Sequence, residues 1–244
     1  MKIIISVLFL SVSLLATSCS GNTYTHPSVK EEQVADDLHI TSIQEDQSLK
    51  LFIEDSTGNK IDLDTIEIPN DVPELDYAFT HSINGQPHII AGISYDEDYR
   101  DFDQPYINWH RQYTVLIYPC DSNYHCTYNS KLSNFFGSGG DLVNYETNEV
   151  LSTYLYKNQF VVEKGLKSDL FRNWLNDTQT NGNITNITTV KSWEGHSGKN
   201  TDYLSVGTKF LVTDASSGWL EISYDKDDQE LQGYIRCEDT NLCS

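Results

Sequence analysis

Positive charge is scarce in this 244-residue chain: 16 lysines and arginines stand against 36 aspartates and glutamates, a formal charge of −20 with histidine neutral. A surface of that sign repels phosphate and anionic headgroups, which argues against nucleic acid, and its long-range field favours basic partners. Solubility alone also accounts for such an excess. Cysteine is equally sparse, with five residues and no pair at the C-x₂₋₄-C spacing of a zinc site. Ser138 in FGSGGD lacks the G-x-S-x-G elbow of a hydrolase nucleophile. The acids of SYDEDYRDFDQP (Asp96, Glu97, Asp98, Asp101 and Asp103) are dense enough to suggest calcium, but no glycine sits at the turn and no glutamate closes the loop, so they read as a solvated acidic loop. Trp109-His110-Arg111 could hold a general base, yet a histidine in an alternating strand without a nucleophile reads as structural. No catalytic set, metal or cofactor is expected.

Long apolar runs are also missing, with one exception at the N-terminus. Ile3 to Leu15 spans about 13 residues, short of the roughly 20 needed to cross a bilayer, and it lies between Lys2 and the small residues Ala16, Thr17 and Ser18. Residues 1–18 therefore read as a secretory signal. Leu15-Ala16-Thr17-Ser18-Cys19 resembles the bacterial lipobox. That resemblance implies cleavage before Cys19, acylation of its thiol, and a membrane partner held through lipid. Ser20 in place of aspartate implies outer-membrane retention facing the periplasm. Ordinary cleavage nearby, with Cys19 free, is the other reading. Loss of Lys2 with the signal leaves 15 basic residues against 36 acidic ones, about −21 in all.

With Cys19 given to lipid, Cys120, Cys126, Cys237 and Cys243 remain, and four cysteines permit three pairings. Export implies an oxidising compartment, and each neighbouring pair encloses five residues, so Cys120–Cys126 and Cys237–Cys243 are the simplest disulfides. Loops so short constrain the unfolded chain by roughly 2 to 2.5 kcal/mol each. They are local clips.

Turn signals and periodicity organise the rest into a mainly β chain. Residues 19–37 lack apolar periodicity and read as a tether. Residues 38–177 form an antiparallel β-rich domain: LKLFIED and KIDLDTIEI flank the turn STGN, with Leu49, Leu51 and Ile53 alternating against polar neighbours. YAFTHSI and HIIAGISY flank Asn84-Gly85, the strongest hairpin signal in the chain. QYTVLIYPC follows as an apolar strand. TYLY and QFVVE read as a further hairpin around Lys157-Asn158. The expected helix is SDLFRNWL, 168–175. TQTNGNITN, 178–186, has Ile184 as its one large apolar residue and reads as a linker.

Residues 187–244 carry three ordered landmarks, Val206-Gly207-Thr208-Lys209-Phe210, Gly218-Trp219-Leu220-Glu221-Ile222 and Gly233-Tyr234-Ile235. These resemble the "KGT-x-V", "GW-x-V" and "GWV" signatures of bacterial SH3-like domains, and imply a small β-barrel. Two departures accompany them: TVKSWEGHSGKN replaces the family's "NVRSGPS", and Tyr234 replaces a tryptophan. Independently of the family, alternation puts Leu220 and Ile222 on one face and Trp219 and Glu221 on the other. Trp219 and Tyr234 then form either an aromatic platform for a peptide or part of the core. In FFGSGGDLVNY, 135–145, the loop at Ser138-Gly139-Gly140 resembles the protruding Ser-Gly loops of envelope lysozyme inhibitors, without their Ser-Gly-x-x-Tyr spacing.

Three functions follow as expectations. The leading one is a non-catalytic lipoprotein of the bacterial cell envelope that binds a cell-wall (peptidoglycan) peptide or a protein partner through its β-domains. The second is an inhibitor or immunity protein against a basic envelope toxin or hydrolase. The third is a cell-wall hydrolase with an SH3-like targeting module.

Overall fold

The computed structural model describes residues 38–69, 71–96, 107–144, 146–195 and 198–243. The signal segment, Cys19 and the 19–37 tether lie outside the described residues, as do Glu97, Asp98, Asp101, Asp103 and the side chains of Trp109 and His110.

Three antiparallel sheets build the chain, which is mainly β as its periodicity predicts. Strands β1 (Leu38–Glu45), β2 (Ser48–Asp55) and β3 (Lys60–Glu67) form the first. The second orders β4 (Glu74–Ile83), β5 (Gln86–Asp96), β6 (Ile107–Pro119), β7 (Ser138–Asn144) and β8 (Glu149–Ser152), with helix α1 (Ser130–Phe136) between β6 and β7. Helices α2 (Gln159–Leu166) and α3 (Asp169–Leu175) lead to the third sheet, whose strands are β9 (Thr180–Asn183), β10 (Thr188–Lys191), β11 (Asn200–Leu204), β12 (Lys209–Ser216), β13 (Trp219–Lys226) and β14 (Gln229–Arg236). Its order is β11-β10-β14-β13-β12-β9. No described helix is long and apolar enough to cross a membrane.

The second sheet is the middle layer, and β5 shows why. HIIAGIS is buried on both faces, with Ile89, Ala91 and Ile93 meeting Leu49, Leu51 and Ile53 of β2, while Ile90 faces a larger core. The Tyr118 hydroxyl donates to Asp64 Oδ2 at 2.7 Å, tying the first two sheets together. At Asn84-Gly85 the chain takes φ of 51° and 79°, the left-handed geometry its hairpin requires. Gly92 has no room for a side chain: a Cβ there would lie 2.0 Å from the Tyr77 ring.

The larger core runs from Tyr77, Phe79 and Val115 through all three helices to Leu220, Ile222 and Ile235. Its centre is aromatic, with Phe136 edge-on to Phe135 and Tyr156 at 5.1 and 4.9 Å, and Phe135 4.9 Å from Phe171.

Four expectations need correction. The third sheet is open, with β9 and β11 at its edges, and not a closed SH3-like barrel. Its apolar face is covered by the helical layer, which β12 touches through α1, so it need not curl upon itself. The 178–186 segment is not a free linker: Thr180–Asn183 pairs with β12, and Ile184 is buried. Gly182 makes that polar strand fit, since a Cβ there would lie 2.3 Å from the Phe210 ring. With one core through both halves, packing shows no division at that point. The hairpin expected at Lys157-Asn158 is instead the start of α2, because Asn158 Oδ1 accepts the Val161 N–H at 3.1 Å and caps a helix. Lastly, Ser138 and Gly139 do not protrude. They open β7, where Gly139 lies beneath Tyr154, 2.7 Å from a would-be Cβ, and Ser138 Oγ hydrogen-bonds Thr114 Oγ1.

Candidate functional site

Alternation along β13 and β14 sends Leu220, Ile222 and Ile235 into the core and leaves Trp219, Glu221, Tyr234 and Arg236 on the other face. Register assembles two cross-strand rows there. One holds Ser216, Trp219 and Arg236, the next Asp214, Glu221 and Tyr234. Trp219 and Tyr234 are thus diagonal neighbours, both half-buried and neither in the core. Lys191 of β10 follows Tyr234 in its row, with its ammonium donating to Asn200 Oδ1 at 2.6 Å.

Helices supply the facing wall. Asn129 caps α1, its Oδ1 accepting the Leu132 N–H at 3.0 Å, and Ser168 caps α3 in the same way through the Phe171 N–H. These short helices present Lys131 and Trp174 to each other: the ammonium sits 5.5 Å from the ring centroid and 3.6 Å from the Asp177 carboxylate. Trp174 Nε1 donates to Asp214 Oδ1 at 2.8 Å, which joins the helical wall to the sheet.

Between the walls lies a groove of about 1250 Å³, lined among others by Ser138, Trp174, Trp193, Trp219 and Tyr234. A recess of about 280 Å³ adjoins it past Trp219 and reaches Gly139, Arg236 and Glu238. The structure therefore brings Trp219, Tyr234 and Ser138 into one groove and puts Gly139 in its annex. Trp174, Trp193, Lys131, Asp177, Glu194 and Asp214 also line the groove and carry no sequence signal for it. The Trp174 helix was legible, but nothing in the sequence says which sheet its indole meets.

Charge in the groove is one-sided. Asp177, Glu194, Asp214 and Glu221 line it with Lys131. Asp177 is paired with that lysine, whereas among the described residues Glu194, Asp214 and Glu221 make no ion pair. Partial burial raises the Tyr234 phenol above its usual range, and the nearby carboxylates of Glu221, Glu194 and Asp214 push it further. The phenol stays a neutral donor at physiological pH.

Both neighbouring disulfides are present, Cys120–Cys126 and Cys237–Cys243, with Cα atoms 4.1 and 5.4 Å apart. The second supports the groove from behind, since the Cys237 N–H donates to the Gly218 carbonyl at 2.9 Å in the turn before Trp219. Among the described residues no cluster of three or more His, Cys, Asp or Glu side chains could hold a metal. Asp96, the described member of the acidic loop, receives Arg111 Nη1 at 3.1 Å. No protein-family model, curated protein or solved structure matches the chain.

Proposed function

We propose that the chain is a non-catalytic lipoprotein of the bacterial cell envelope that holds a peptide or protein segment in the aromatic groove. The observation that carries this reading is the pair Trp219 and Tyr234, half-buried on one sheet face and lining a groove walled by α1 and α3. Rigid aromatic side chains in such a setting supply contact area at small entropic cost.

Trp219→Ala is expected to weaken binding by about 1 to 3 kcal/mol with little change in melting temperature, because the ring is outside the core. The probes are purified peptidoglycan, by co-sedimentation, and an envelope extract passed over immobilised protein. Retention that Trp219→Ala leaves unaltered would place the recognition surface elsewhere. Cell-wall cleavage by the purified chain, lost on changing one carboxylate, would overturn the non-catalytic assignment.

Anchoring rests on Lys2, the apolar run after it, and Cys19 in its lipobox-like setting. The expected result is that Cys19→Ala moves the protein from the detergent-extracted membrane fraction to the soluble one. A variant as detergent-dependent as its parent would remove the lipid anchor from the proposal.

A further inference from the structure

The groove contains an aromatic and carboxylate arrangement that the chain has already used once on itself. Lys131 places its ammonium over Trp174 and against Asp177. Further along the groove, Trp193, Trp219 and Tyr234 stand with Glu194 and Glu221, but no lysine or arginine of the described residues pairs with those two carboxylates. Arg236, the nearest cation in the rows, is engaged by Glu238, and Lys191 by Asn200. Ring faces attract an ammonium or guanidinium, and carboxylates held in a groove with low-dielectric walls concentrate a negative field there.

We infer that this part of the groove seats a lysine or arginine side chain from an extended, polycationic segment of a partner protein. The inference rests on the groove reading above and adds the chemical class of its occupant. Charge decides between sources. The chain carries a formal charge of −20, and its attraction grows with the number of charges on the partner, so a basic protein gains far more from it than a wall peptide with one or two amines.

The test uses fluorescence anisotropy on the full exported chain with three labelled probes: an oligo-lysine peptide, a neutral glycine-serine peptide of the same length, and a muropeptide. Oligo-lysine is expected to bind at least about tenfold more tightly than the neutral peptide, with an affinity that falls as salt is added. Glu194→Gln with Glu221→Gln should weaken oligo-lysine about tenfold and leave the neutral peptide within about twofold. The control pair Asp227→Asn with Asp228→Asn lies in the exposed β13–β14 turn at φ of 51° and 61°, where asparagine is tolerated, and removes the same charge. It should alter oligo-lysine binding by less than about twofold. An equal loss in the control pair overturns the seat, because attraction then belongs to the whole surface. Equal affinity for both linear peptides, each weakened by Trp219→Ala, also overturns the seat but leaves the groove as a binding site. Binding of neither peptide overturns the seat, and unaltered retention of peptidoglycan and envelope proteins by Trp219→Ala separately overturns the groove. Preference for the muropeptide over oligo-lysine overturns the protein partner.

Discussion

Phe136→Ala is expected to destabilise the whole chain by about 3 to 5 kcal/mol, in a single unfolding transition. Its ring is fully buried where α1, α2 and α3 meet, against Phe135 and Tyr156, and Gly165 of α2 approaches so closely that a Cβ there would lie 2.9 Å from it. Truncation leaves a cavity the surrounding rings cannot fill without leaving their edge-on contacts. Because the same core reaches Tyr77 of β4 and Ile235 of β14, the loss is shared by the second and third sheets. Urea unfolding followed by far-ultraviolet circular dichroism and by tryptophan emission checks this. The emission draws on both sides of the expected division, with Trp109 and Trp174 before residue 178 and Trp193 and Trp219 after residue 186. Two separated transitions, one of them untouched by the substitution, would restore the division between residues 38–177 and 187–244.

Gly137→Ala should cost about 2 to 5 kcal/mol, for two reasons that can be separated. Gly137 ends α1 at φ 62° and ψ −155°, a conformation essentially reserved for glycine. Its would-be Cβ also lies 1.8 Å from Ser217 Oγ and 3.2 Å from Ser217 Cα, so the β12–β13 turn has to retreat from the helix. That retreat breaks the hydrogen bond from the Ser217 N–H to the Phe135 carbonyl, 3.1 Å long. Adding Ser217→Gly, at a site whose own φ is 54°, removes the side-chain collision and should return part of the loss while the backbone strain remains. A double variant no more stable than Gly137→Ala would show that the collision contributes nothing. Gly137 and Ser217 both line the groove, so the single variant should also weaken ligand binding.

Residues 216–236 were legible because period-two alternation is physical: Leu220 and Ile222 are buried, Trp219 and Glu221 line the groove. Leu49, Leu51 and Ile53 follow the same rule, and Asn84-Gly85 makes its hairpin. Glycine and asparagine caused the errors, since each serves more than one purpose. Gly139 and Gly182 suggested a loop and a linker, yet both lie inside strands beneath aromatic rings that need the missing Cβ. Asn158 suggested a tight turn but caps a helix, and Asn129 does the same for α1, a helix of seven residues too short to show a period. The groove itself depends on contacts such as Trp174 to Asp214, separated by 40 residues, which no local pattern encodes.

The strand order of the third sheet sets when the face carrying Trp219 and Tyr234 is completed. β14, the last strand, lies between β13 and β10, so Tyr234 joins the Asp214 and Glu221 row only after the chain has been delivered through Arg236. The first sheet, made of consecutive hairpins, can close while later residues are still emerging. A chain that stops short of Tyr234 therefore lacks one ring of that face and the strand that joins β13 to β10.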